Sequence, residues 1–278
     1  MPVIFNQDDI TAVEAGSDVF VQTLLDDKTT SNDNVRLQRW RINAGGSMPV
    51  VVADTDLTCV QVLDGEVDLD GTQGHHRLSN VHLVVLPPGF SGTFTSKTGA
   101  VLLNAEVPDA ARFDPAFAVN PPSFGCVDWT EEPVLNAEHD ARKRIYFVTP
   151  KMFGTKALAG ELIIYPPGTE ASNHHHEGAE HFQYIIKGSG TVFSNEEPHQ
   201  IRANDVIYNY ERERHYFSCD DEEMLFVEFF VPGEFKTIWA DNAPICAWLP
   251  TGKNIKGGTP VREIGAHSSE DIEKPADV

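Results

Sequence analysis

Short apolar runs bounded by Gly, Pro, Asn and Asp recur along almost the whole chain, and long helical periodicity is scarce. Runs of this length cannot cover a core as helices, so the pattern predicts β-strands. In the first half RLQRWRI, LTCVQVL, EVDLDG, VHLVVL, GTFTS and AVLLNAEV read as strands joined by GG, DG, QG and PPG turns. In the second half RIYFVT, LAGELIIY, HFQYIIK, GTVFS, DVIYNY, HYFSC and MLFVEFFV repeat the rhythm. The halves also share phrases. QVLDGEVDLDG followed by LSNVHLVVLPPG is matched by YIIKGSGTVFS followed by IRANDVIYNYER. A strand, a glycine turn and a later strand entering a tight turn therefore occur twice, which predicts an all-β chain of two duplicated domains.

The expected organisation is an amino-terminal barrel over residues 1–110, a connector over 111–143, a second barrel over 144–250 and a polar tail over 251–278. The connector shows the least alternation from Asn120 to Lys143. At 278 residues and 41% hydrophobic content, the chain can bury two cores of ordinary size. A formal charge of −21, with no dense Lys/Arg run, disfavours nucleic acid and anionic lipid as partners. The four cysteines lie far apart with no CxxC pair and read as free thiols. MPVIFNQDDITAVEAG lacks a basic region followed by an apolar one, and no long apolar run occurs, so a cytoplasmic location is expected.

Residues 174–181, HHHEGAEH, hold four of the chain's 11 histidines. In an extended strand His174 and His176 face one side and His175 the other. Glu177-Gly178-Ala179-Glu180 can turn the chain so that His181, opening the next strand, returns an imidazole to the same pocket. His215, after DVIYNYERER, is a fourth candidate. Neutral imidazole suits Fe, Mn, Co, Ni, Cu or Zn. The plain alternative is a histidine-rich surface loop that binds metal adventitiously.

The surrounding residues carry a resemblance. Gly168, His174, His176, position 181 and Gly188 keep the longer spacing of the first cupin motif, Gly-x5-His-x-His-x4-Glu-x6-Gly, with His181 where Glu is usual. In the second motif Asn204, Tyr210, Arg212 and Cys219 stand where Gly, Pro, Gly and Asn are expected, and His215 is kept. The chain thus resembles the cupin superfamily. That resemblance implies two tandem double-stranded β-helix (jelly-roll) barrels and a metal site of His174, His176, His181 and His215. Four neutral ligands would leave a divalent ion its full charge and favour an anionic, chelating substrate. If His181 stands outside the first shell, three histidines remain, as in cupin dioxygenases. Glu180 is the rival third ligand under the shorter spacing. The amino-terminal half keeps the turn frames, with Pro87 and Gly89, but has Gly92 at the second-motif histidine position and no histidine upstream. It is expected to be metal-free and to support packing or dimer formation. His75, His76 and His82 read as ordinary turn or strand residues.

Alternation from His181 adds Gln183 and Ile185 to the ligand face, and alternation from His215 adds Phe217. Tyr208, Tyr210, Arg212, Arg214 and Glu228 fall near the same barrel end. Glu180, Gln183, Tyr208, Arg212, Arg214 and Glu228 form the candidate catalytic set, Arg212 or Arg214 as a carboxylate clamp and Glu228 as a base, against the plainer reading of a solvated face or a satisfied core carboxylate. The expected function is a metal-dependent enzyme. Its first form is an Fe(II) dioxygenase cleaving a small carboxylated or enolisable compound. The alternatives are a Mn- or Zn-dependent hydrolase, lyase or isomerase built like ureidoglycine aminohydrolases, and a non-catalytic small-molecule binder. Ni or Cu also fits the ligands. A homo-oligomer is expected.

Overall fold

The computed structural model describes residues 3–268, and these are nearly all β. They divide into two compact units. One comprises residues 7–129 and 153–157. The other takes the amino-terminal strand with residues 130–152 and, among the described residues, 158–268.

The first unit is built on an eight-stranded sheet ordered Val13–Leu25, Arg36–Val51, Ser91–Thr95, Leu57–Gly71, His82–Leu86 and Gly125–Asp128. Gly74–Ser79 pairs with Leu57–Gly71, and Ala100–Val107 pairs with both long strands. LTCVQVL and EVDLDG, which read as two strands, form one strand that turns at Gly65 with φ +77°. Glycine bears this conformation without steric cost, so the ladder continues through the bend. The interior is closed by Trp40, Ile42, Val60, Leu69, Phe94 and their neighbours, with Trp40 edge-on to Phe94 at 6.1 Å. His75 pairs with Asp70 at 2.8 Å, and His82 Nδ1 accepts from the Ser79 backbone N–H at 3.1 Å.

The second unit has two sheets. The larger runs Val3–Asn6, Asp205–Asn209, Glu180–Lys187, Met224–Val231, Ala159–Tyr165, Lys143–Val148, Leu135–Ala137, Ala247–Pro250 and His267–Ser268. The smaller runs Glu197–Arg202, Ser189–Ser194, His215–Cys219, His174–Glu177 and Lys236–Trp239. Along the inward faces each strand grades from polar to apolar. His181, Gln183 and Ile185 follow one another on one strand, His215, Phe217 and Cys219 on another, and Glu228, Phe226 and Met224 on a third. Ile185, Phe217, Cys219, Met224 and Phe226 are buried in one cluster with Ile163, Tyr165 and Val192. Burying each large apolar side chain contributes about 1.5–3 kcal/mol, so the apolar end holds the barrel shut and leaves the polar end for chemistry.

The boundaries differ from those expected. The segment read as a connector contains two strands, Gly125–Asp128 in the first unit and Leu135–Ala137 in the second, and the unit boundary falls between 129 and 130. Strands of three or four residues are too short to show alternation. The polar stretch after residue 250 is also structured as far as it is described. Arg262 Nε donates to Glu132 at 2.6 Å, Lys256 Nζ donates to Glu131 at 2.6 Å, and His267–Ser268 pairs with Ala247–Pro250. Charge pairs, strand pairing and the burial of Ile264 beside Leu135 and Trp248 tie it down. The rest of that stretch lies outside the described residues.

Two positions where the first motif has glycine, Gly168 and Gly188, have φ of +77° and +79°. At the glycine positions of the second motif, Asn204 and Arg212 take φ of +75° and +65°. The left-handed turns are thus kept although the glycines are gone. Gly188 sits where its carbonyl accepts from Ala203 N–H at 2.8 Å, and a Cβ there would overlap the Glu223 carbonyl oxygen. Gly188→Ala is expected to destabilise by about 2–4 kcal/mol and lower the thermal midpoint by about 5–15 °C, read by differential scanning calorimetry; an unchanged midpoint would refute the tight-turn argument.

Candidate metal centre

The histidines converge because of strand register. His174 lies directly opposite His215 in an antiparallel pair, and His176 follows two residues on, on the same face. His181 comes from the facing sheet, at the start of Glu180–Lys187. Ring centroids are 4.5 Å apart for His174 and His215, 4.8 Å for His174 and His176, 4.8 Å for His176 and His181, and 4.5 Å for His181 and His215. The ligand atoms of His174, His176 and His215 lie within 4.8 Å of one another. His181 Nε2 stands 3.1 Å from His215 Nε2. Two nitrogens bound at right angles to one ion, each about 2.1 Å from it, would be about 3.0 Å apart, so that separation suits two ligands of one cation.

Three of the rings are aimed by a second contact. His174 Nδ1 meets the Ser172 carbonyl at 2.8 Å, His215 Nδ1 the Glu213 carbonyl at 2.8 Å, and His176 Nδ1 the Thr237 hydroxyl at 3.2 Å. A proton on each Nδ1 leaves Nε2 as a free lone pair, the tautomer a metal ligand needs. His181 departs from this pattern. Its Nε2 faces the cage, while its buried Nδ1 has no partner. Burial holds all four imidazoles below their ordinary range, and the neighbouring rings add to the effect. His215 falls to about 4, and His174, His176 and His181 lie well below 6.5. The neutral imidazoles of His174, His176 and His215 fit a divalent cation, with His181 beside them and Glu228 Oε1 3.6 Å from His181 Nε2.

Phe230 stacks on His181 at 5.1 Å and on Phe235 at 4.0 Å, and Trp239 leans on His174 at 5.2 Å, so aromatic rings enclose the cage. Beside it opens a cavity of about 110 Å³ lined by His174, His176, His215, Phe226, Phe230 and Trp239 among others. Glu228, Glu161 and Tyr146 line it in a row across neighbouring strands, which Gln183 continues outside the lining. Gln183 stands opposite Glu228, Glu228 opposite Glu161, and Glu161 opposite Tyr146. Gln183 Nε2 donates to Glu228 at 2.5 Å, and Arg144 pairs with Glu161 at 3.0 Å. Burial and the charge of Glu161 raise Glu228 well above the carboxylate range. Burial also raises Glu161, and Arg144 opposes the rise at both carboxyls.

The other candidate residues fall elsewhere. Glu180 lies one residue from His181 and points to the opposite face, where it accepts from the Tyr208 hydroxyl, and Tyr208 stacks with Phe182. Alternation along the strand forbids Glu180 and His181 from sharing a pocket. Arg212 is 67% exposed and pairs with Glu177 at 3.4 Å. Neither Arg212 nor Arg214 lines the cavity. The arginines that do are Arg142 and Arg144, which the sequence reading missed. Arg142 pairs with Asp140 at 2.7 Å, and the Arg144 guanidinium lies 4.2 Å from the Trp248 ring centre. A signal was available: Arg142, Arg144 and Tyr146 alternate into an apolar strand, and Glu161 interrupts GELIIY.

Residues 161–231 match the model of the cupin domain. The fold is shared with oxalate decarboxylase of Bacillus subtilis, solved as a deletion mutant, at TM-score 0.68 and 16% identity over 86% of this chain and 79% of that one. It is shared equally with protein Ylba from E. coli, at TM-score 0.68 and 13% identity over 83% and 90% of the two chains. The chain is therefore a two-barrel jelly roll with a cupin domain in its second half. No curated protein sequence matches it. Among the described residues no helix is long and apolar enough to cross a membrane. All four cysteines are free thiols.

Thr237→Val removes the hydroxyl that aims His176 while keeping its volume. Divalent-metal affinity, read by competition with a chromophoric chelator, is expected to fall about 10–100-fold with the fold intact; unchanged affinity would mean that His176 is not a ligand.

Proposed function

We propose that this protein is a metal-dependent enzyme acting on a small carboxylated compound. His174, His176 and His215 would hold the ion, with His181 as fourth ligand. The observation that supports this most directly is the cage of neutral imidazoles, three with Nδ1 anchored, opening onto a cavity with buried arginines. A bound divalent ion would supply Lewis acidity and, as Fe(II), access to O2 chemistry. The chain's own groups do the rest. Phe230, Phe235 and Trp239 exclude water and lower the local dielectric, so that charged contacts in the cavity strengthen. Gln183 fixes the Glu228 carboxyl on the cavity wall. The arginines favour an anion. An Fe(II) dioxygenase is the reading we place first, because nitrogen ligands suit iron and the cage leaves one side open to the cavity.

The adjacent buried carboxyls of Glu228 and Glu161, both raised by burial, favour a second reading, hydrolase, lyase or isomerase chemistry with Mn or Zn, in which Glu228 delivers or takes a proton. The fold neighbour named for oxalate, a small carboxylic acid, supports an anionic substrate under either reading.

Metal analysis of untagged protein, followed by an oxygen-electrode screen of aromatic and diketone acids with Fe(II) restored, tests the proposal. Oxygen uptake abolished in His176→Ala is the expected result. Turnover under strict anaerobiosis with Mn or Zn would favour the second reading, and protein that retains no metal would end both. His181→Ala is expected to weaken metal binding about 10–100-fold without abolishing it, measured by the same chelator competition.

A further inference from the structure

Two side chains that line the cavity carry donors that the protein itself does not use. Arg144 spends one terminal nitrogen on Glu161 at 3.0 Å and donates with the other to the Tyr146 hydroxyl at 3.0 Å. Its Nε–H is buried and has no partner. The indole Nε1–H of Trp239 is likewise buried and without a partner, and both side chains line the same cavity. Buried N–H groups are almost always satisfied, so two orphaned donors on side chains that line one cavity point to an acceptor there. Arg144 is also held rigid. Its guanidinium lies 4.2 Å from the Trp248 ring centre, and Glu161 fixes its far side. A guanidinium immobilised in this way loses little freedom on gripping a ligand.

The charges around the cavity restrict the ligand further. Arg142 is matched by Asp140, and Arg144 is matched by Glu161. With both arginines already matched, one negative charge on a ligand would be balanced by a cation in the cage, while a second would meet no free arginine. The remaining lining is largely aromatic and aliphatic, including Phe217, Phe226, Phe235 and Ile163. A flat apolar body fills such a wall without leaving polar atoms unsatisfied.

We infer that Arg144, with the Trp239 indole N–H, is the carboxylate anchor of this site, which thereby selects monocarboxylic acids carrying a flat apolar body. The inference rests on the cavity being the substrate site, as proposed above. It assigns the specificity to the strand Lys143–Val148.

Benzoate, benzamide and phthalate serve as probes, titrated by isothermal calorimetry into full-length protein whose metal content is measured on the same samples. Benzoate is expected to bind at least about tenfold more tightly than neutral benzamide or dianionic phthalate. Arg144→Gln combined with Glu161→Gln removes the anchor without stranding a buried carboxylate. It is expected to weaken benzoate about 10–100-fold and leave benzamide and metal content unchanged. Trp239→Phe keeps the ring, removes one donor and is expected to weaken benzoate about tenfold, which decides the matter if the double variant fails to fold. No benzoate binding, equal binding of benzoate and benzamide, or unweakened benzoate in the variants would overturn the assignment. Failure of the metal proposal reads out separately, as wild-type protein without metal that still prefers benzoate.

Discussion

Burying imidazoles together is unfavourable for any protonated form, and the architecture of the second barrel turns on that constraint. His174 and His215 meet because their strands are paired in one register, and His181 reaches them from the other sheet. A slip of one residue would turn His174 and His176 outward and bring His175 in. Burial keeps all four rings neutral, which removes their mutual repulsion and leaves their lone pairs available. The carbonyls of Ser172 and Glu213 and the hydroxyl of Thr237 then decide which nitrogen faces inward.

The apolar half of the same barrel makes this arrangement affordable. Ile185, Phe217, Met224 and Phe226 continue inward from the polar residues on their own strands, so each strand anchors its functional side chain by packing a few ångströms further along. The polar row from Gln183 through Glu228 and Glu161 to Tyr146 is the less secure part, since it buries two carboxylates side by side. It is tolerable because burial raises both carboxyls and Arg144 pairs with Glu161. Glu228, Glu161 and Tyr146 of this row line the cavity.

The first barrel shows the same frame put to another use. Its interior is filled by Trp40, Ile42, Val60, Leu69 and Phe94. Turns at Gly65 and Gly89, with φ of +77° and +71°, fall in the phrases that match those of Gly188 and Arg212, with φ of +79° and +65°, so the two halves share turn conformations while their interiors differ. Asn204 and Arg212 carry the same lesson within the second barrel. Side chains at these turns changed, and the left-handed backbone did not.

Strand rhythm, turn residues and the HHHEGAEH cluster are local properties, with periods of two and spacings of a few residues. They were enough to indicate a duplicated β-barrel protein, and to single out His174, His176, His181 and His215 as one group. What was not legible was whichever partnership joins residues far apart in the chain. Arg212 and Arg214 lie close to His215 in sequence, but the turn carries them away from the cavity. Arg142 and Arg144 lie some seventy positions away, yet strand order puts them on its wall. The same holds for Glu161 beside Glu228 and for the short strands hidden in the segment read as a connector. Local sequence sets which way a side chain points from its own strand. Only the order and register of the sheets, fixed by burial summed over the whole core, decides what it meets there.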